Sequence, residues 1–174
     1  MEPGDALSTV AQIAVALAGF AGVVVAFRSG SLHKWSAIDK YRLWLLLGNA
    51  LVPLFSCLFG TLLLTIKPTP VSIWRWCSGF SLVLIFAFSL LSRRRQLEVG
   101  RGAIRNMGGY RYFFYAIALL GAVIGLLQVY NVLISAVFWL FYLAIVFQLA
   151  LGALQFARMI FLPPHTSTDI DSPK

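Results

Sequence analysis

Residues 7–27 read LSTVAQIAVALAGFAGVVVAF, an apolar run that carries no charge between Asp5 and Arg28. At about 1.5 Å per residue, a helix of this length spans roughly the 30 Å hydrocarbon core of a bilayer. The chain is therefore read as one folded in lipid. The acidic residues Glu2 and Asp5 precede the run without any Lys or Arg, whereas a secretory leader opens on positive charge. The run is expected to be retained as a membrane helix, with Asp5 as its N-cap.

The rest of the composition agrees. Of the 174 residues, 60% are hydrophobic and 11% charged, and the mean hydropathy is +0.85. Soluble domains hold about 45–50% apolar and about 25% charged residues. The net charge of +8 does not indicate nucleic acid, because the basic residues fall between apolar runs and not on one polar surface. Cys57 and Cys77 both lie inside apolar runs, which leaves no cysteine framework or zinc spacing.

Four further runs follow, and the spacing predicts an all-α membrane protein of five transmembrane helices at about 7–27, 43–66, 72–92, 112–130 and 132–156. Residues 1–162 form one transmembrane helical domain, and 163–174, opening on Pro163-Pro164, form a short polar tail. Pro68 and Pro70 make the second connection a tight turn, and Asn131 is the joint of the last two spans with almost no loop. A single helix over 112–156 would be far longer than any bilayer is thick.

Sorting Lys and Arg by side gives the orientation. Arg28, Lys34, Lys40, Arg42, Arg93, Arg94, Arg95, Arg101, Arg105, Arg111, Arg158 and Lys174 share one side, and Lys67 and Arg75 the other. The positive side is cytoplasmic. The amino terminus is then expected outside and the carboxyl terminus, with its tail, in the cytoplasm.

Several side-chain patterns mark candidate sites. Ala14, Ala18, Gly22 and Ala26 recur every four residues and form a stripe where another backbone can approach, and Gly121 and Gly125 form a second such face with Ala118. Both are expected to be helix-packing faces. In the second span Pro53 removes a backbone donor, so a kink is expected there, and Asn49, Pro53, Ser56 and Cys57 make a polar intramembrane patch that could serve as a hinge or pore notch. In the fifth, Gln148, Gly152 and Gln155 form a polar seam that should face other helices. Trp74 and Trp76 flank Arg75 at the level expected for an aromatic belt. Arg93, Arg94, Arg95, Arg101 and Arg105 belong to a polar segment with weak amphipathic character, and are candidate contacts for anionic lipid.

No Asp, Glu, Lys or His falls within the expected hydrocarbon spans, although such groups are the usual marks of proton relays and ion pathways. His33 stands alone in its loop, and Asp39, Glu98, Asp169 and Asp171 are scattered. The expectation is no catalytic residue, no metal site and no cofactor.

The string Ala18-Gly19-Phe20-Ala21-Gly22-Val23-Val24, followed by a basic loop, resembles the opening of small bacterial polytopic inner-membrane proteins of unassigned function. The resemblance covers the first helix and its loop, and implies a bacterial inner-membrane location without an activity. Gly19-Phe20-Ala21 is also similar to the pore helix of store-operated calcium channels, whose membrane glutamate has no counterpart here.

The sequence reading is thus a non-enzymatic integral membrane protein, a structural or accessory component with the lipid bilayer around it and self-association or a partner membrane protein at its small-residue faces. Nucleic acid is not among its partners. Two alternatives stay open: a homo-oligomeric channel or small-solute transporter using the first helix and Asn49–Pro53, and a membrane-bound enzyme acting on anionic lipid.

Overall fold

A computed structural model of the chain describes residues 2–27, 37–66, 72–99 and 111–161. His33, Arg101, Arg105, the Pro68–Pro70 turn and the tail at 163–174 lie outside the described residues. The described residues are all-helical, with five helices long and apolar enough to cross a membrane and no strand among them. They are α1 (Pro3–Phe27), α2 (Ala37–Thr65), α3 (Ile73–Val99), α4 (Arg111–Tyr130) and α5 (Phe138–Phe161), with a π-helical segment at Asn131–Ser135.

Helix ends depart from the sequence expectation in a consistent way. Proline at the first helical position of α1 needs no amide partner, so the helix begins at Pro3 and places Asp5 inside its first turn, not at the cap. Thr9 Oγ1 then donates to the Asp5 carbonyl at 2.9 Å. α2 starts at Ala37, so Asp39, Lys40 and Arg42 lie on helix and not in the connection; α3 runs past Ser92 to Val99, carrying Arg93, Arg94 and Arg95 on its last turns. At 29 and 27 residues these two helices are longer than the hydrocarbon of a bilayer requires, and their charged residues lie at the ends.

Contacts fix the directions of the helices. Leu7 of α1 meets Gly60 near the far end of α2, and Trp44 of α2 stacks on Phe88 of α3 with ring centroids 4.8 Å apart. Phe20 of α1 meets Phe156 of α5 at 5.6 Å, and Trp74 of α3 meets Phe138 of α5 at 4.7 Å. Hence α1, α3 and α5 run one way, and α2 and α4 the other.

The core is built by α1, α2, α3 and α5. Leu7, Val10, Ala14, Leu17 and Ala21 of α1 pack with Leu46, Ala50 and Cys57 of α2, Ile73 and Cys77 of α3, and Phe141, Ile145 and Leu149 of α5. Cys57 and Cys77 are buried free thiols. Among the described residues α4 adds nothing to this cluster, and only 17% of its apolar window is buried inside the protein, against 44% for α2. The outer faces of the helices, such as Leu62, Val83, Phe86, Leu119 and Leu126, are exposed apolar surface suited to lipid.

Close approach is made by glycines other than those the small-residue patterns single out. A β-carbon at Gly48 would overlap the Phe88 ring; one at Gly60 would stand 2.9 Å from Leu7 Cδ1, and one at Gly152 would stand 2.6 Å from Leu17 Cδ2. By contrast Gly22 and Gly125 have nothing within 4 Å, and Gly121 makes ordinary contact with Phe147 at 3.6 Å. Ala14 is buried, Ala18 half-buried, and Ala26 exposed, so within the protomer the inward seam of α1 is Leu7, Val10, Ala14, Leu17 and Ala21, and not the every-fourth stripe. A helix turns about 100° per residue, so a strict four-residue repeat drifts around the cylinder, whereas alternating steps of three and four hold one face.

Asn131 ends α4. Its Oδ1 accepts from the Val137 amide at 2.8 Å, its Nδ2 donates to the Val137 carbonyl at 3.0 Å and to Ser78 Oγ at 2.7 Å, and its carbonyl accepts from the Ala136 amide at 3.0 Å. Ala136 takes the left-handed conformation, φ 50° and ψ 41°, which lets the chain reverse directly into α5.

Candidate functional site

Because α4 stands off the core, a space opens between it and α2, α3 and α5. It has a volume of about 510 Å³, within the range of small-molecule sites. Its walls are mostly apolar: Leu45 from α2, Ile85 and Phe88 from α3, Ile117 and Ile124 from α4, and Phe147, Leu151 and Leu154 from α5. Gly121 and Gly125 line it as well, so the glycine pair of α4 widens a cavity where the sequence suggested a helix-to-helix contact.

Polar groups are set into this wall at several levels. Gln128 enters from α4, Asn49 from α2, Gln148 and Gln155 from α5, and Ser89 and Ser92 from the far end of α3. Arg158, which is itself partnered within the chain, stands at the same end as Ser92. Each helix has a local reason to deliver its group. The Gln148–Gly152–Gln155 seam of α5 faces inward because Gly152 lets Leu17 and Asn49 close over it. Asn49 is held by its own helix, its Nδ2 donating to the Leu45 carbonyl at 2.8 Å. Gln128 is fully buried, and its Nε2 donates to the Leu140 carbonyl across the hairpin.

Two buried oxygens here have no hydrogen-bond partner among the described residues: Gln128 Oε1 and Ser92 Oγ. Since a carbonyl can only accept, the bond to Leu140 identifies the donating end of the Gln128 amide, and the unpartnered atom must be its oxygen. Leaving such a group unsatisfied costs about 1–3 kcal/mol. Both oxygens belong to residues lining the cavity, but the oxygens themselves are buried.

The polar lining is carboxamide and hydroxyl, with the Arg158 guanidinium at one end. It can orient a molecule by hydrogen bonds, and it offers no group that exchanges protons near neutral pH. Among the described residues no three His, Cys, Asp or Glu side chains gather in metal-binding proximity.

The other sequence-derived candidates fall elsewhere. Pro53 is fully buried in packing and not at the cavity, and α2 continues through it as one helix; Ser56 bonds the Val52 carbonyl at 2.9 Å. Gly22 looks onto open space, so Asn49 and Gly22 do not share a path within the protomer. Arg93 and Arg94 are exposed on the end of α3, and Arg95 lies 4.8 Å over the Trp44 ring. Trp76 is exposed as a belt residue would be, but Trp74 turns inward onto Phe138 and Phe141. The sequence reading did not single out Gln128, whose signal was a lone carboxamide in an apolar run; Ser89 and Ser92 carried no such signal.

Comparison with known protein families, with characterised proteins and with solved structures finds no match for this chain.

Proposed function

We propose that this chain is a non-enzymatic integral membrane protein that holds a small molecule in the cavity between α2, α3, α4 and α5. The observation that carries the reading is the cavity of about 510 Å³, apolar in its walls and lined by the carboxamide residues Asn49, Gln128, Gln148 and Gln155. A few polar residues in an apolar wall are what orients a small molecule in such a site. Orientation follows the charge count, with the amino terminus outside and the Arg42, Arg93–Arg95 and Arg158 end in the cytoplasm. The location that the first helix suggests by resemblance is a bacterial inner membrane.

The test is to take the protein from native membranes into lipid nanodiscs and compare small molecules released from the native chain and from Gly125→Leu. Residue 125 lines the cavity and a β-carbon there has open space, so the leucine grows into the cavity. A molecule enriched with the native chain and lost from the variant supports the reading. Identical extracts from two equally folded proteins would sink it.

A second reading, an accessory subunit, is favoured by the outer face of α1, where Gly19 and Gly22 are exposed and have nothing within 4 Å. It expects a membrane protein of fixed stoichiometry in the same nanodiscs, lost on Gly22→Leu.

A further inference from the structure

Resting on the cavity reading, we infer that the occupant is an anionic amphiphile, with a phosphate, sulfate or carboxylate head at the Arg158 guanidinium and one apolar chain lying along α4 and α5. The juxtaposition that points to it is a guanidinium at one end of a long apolar wall. On α5 the lining runs from Ala144 to Arg158, roughly 21 Å at the helical rise, and on α4 from Ile117 to Gln128, roughly 16 Å. A volume of about 510 Å³ drawn out over that length is narrow, a form that suits one extended hydrocarbon chain.

Charge selects the head. Arg158 lies half-buried in the last turn of α5, at the end of the cavity that Ser89 and Ser92 of α3 also line. The described lining includes no carboxylate, so a cation would be desolvated beside a like charge, whereas an anion meets an opposite one. Arg158 also has an interaction within the chain, and a guanidinium, with five N–H donors in a fork, can hold that group and an oxyanion together. Arg93 and Arg94, exposed on α3 just past Ser92, add positive potential at the same end. Away from Arg158 the wall is apolar, with Leu154, Leu151 and Phe147 on α5, and burying a hydrocarbon chain there removes it from water. In the proposed orientation Arg158 is on the cytoplasmic side, so head and chain lie as a lipid of that leaflet does.

The experiment uses the full chain in phosphatidylcholine nanodiscs and a photoactivatable diazirine analogue of hexadecyl phosphate, with crosslinked residues mapped by peptide mass spectrometry. Hexadecyl phosphate, hexadecanol and hexadecyltrimethylammonium are the competitors. The expected result is saturable labelling of α4 and α5 peptides that line the cavity, with hexadecyl phosphate competing about tenfold better than the alcohol or the ammonium, the ratio one charge-assisted hydrogen bond supplies. Arg158→Gln is expected to remove that preference and leave competition by hexadecanol unchanged, and Arg158→Lys to retain it. Gly125→Leu is expected to abolish saturable labelling, and Gly22→Leu, on the outer face of α1, to leave it as it is; thermal unfolding of each variant shows that it is folded. If Arg158→Gln does not fold, the preference among competitors in the native chain decides. Phosphatidylglycerol added to the discs separates two sources of the same chemistry: full competition assigns the site to one chain of a bilayer phospholipid, no competition to a single-chain amphiphile, and either supports the anionic head. Equal competition by hexadecanol or hexadecyltrimethylammonium at the same peptides, or an undiminished preference in folded Arg158→Gln, overturns the ligand class and leaves the cavity reading standing. Labelling that never saturates, and is the same in Gly125→Leu, overturns both.

Discussion

Asn131 and Ser78 are joined across the bundle by a buried hydrogen bond of 2.7 Å, Nδ2 donating to Oγ. It ties the turn between α4 and α5 to the third helix, and it is one of three bonds that the same side chain makes. Interhelical hydrogen bonds in membrane proteins average about 0.6 kcal/mol, so Ser78→Ala should cost about that much. Asn131→Ala should cost more, about 2–3 kcal/mol, because the Val137 amide and carbonyl also lose their partner. Equilibrium unfolding in mixed micelles would separate the two; equal losses would mean that the turn does not depend on Asn131.

Gly48 should be the least replaceable glycine. The Phe88 ring occupies the place of its β-carbon, so Gly48→Ala is expected to destabilise by about 1–3 kcal/mol, as overpacking does. The loss should shrink in a Phe88→Ala background, a non-additivity diagnostic of direct contact. Gly22→Ala, with open space around it, should be within about 0.5 kcal/mol of the native chain. A Gly48→Ala protein as stable as Gly22→Ala would contradict the packing.

The two thiols should be silent in the folded protein. Cys57 and Cys77 are both fully buried and unpaired. N-Ethylmaleimide is expected to modify neither in nanodiscs and both after unfolding in dodecyl sulfate, with an intact mass that shows no loss of hydrogen to a disulfide. Rapid modification of either thiol before unfolding would place it at a surface.

That silence makes the orientation measurable without removing the native cysteines. Glu2 and Arg94 are exposed at opposite ends of the bundle. In intact cells a membrane-impermeant maleimide should label Glu2→Cys, and label Arg94→Cys only after permeabilisation. The reverse pattern would invert the proposed topology.

Most of the architecture was legible because hydrocarbon imposes length and apolarity, and both are written in each run of residues. The hairpin joint at Asn131 was legible for the same reason, since no other polar residue interrupts residues 129–134. Helix ends were harder: Asp39, Arg42 and Arg93 look like loop by charge, yet helix continues through them. A four-residue repeat of small side chains does not say which neighbour it meets, within the chain or outside it. Whether Gly22, Gly48 or Gly125 meets a neighbour depends on the side chain opposite, Phe88 in the one case and a cavity in another, and that partner is distant in sequence. The cavity itself comes from the separation of α4 from the core, a property of five helices together. Its polar residues were only partly visible, as Asn49 on the second span and Gln148 and Gln155 on the fifth.

The turn at Asn131–Val137 also bears on how the chain is made. Its tip presents no charged residue, and its reversal is completed by one asparagine side chain and one left-handed alanine. Carrying such a tip across hydrocarbon needs no dehydrated ion and few open backbone groups, so α4 and α5 are suited to enter the membrane together as a preformed pair. A lysine inserted at Ala136 would burden that passage, and would be read as defective biogenesis, with less protein in the membrane, before it was read as a less stable fold.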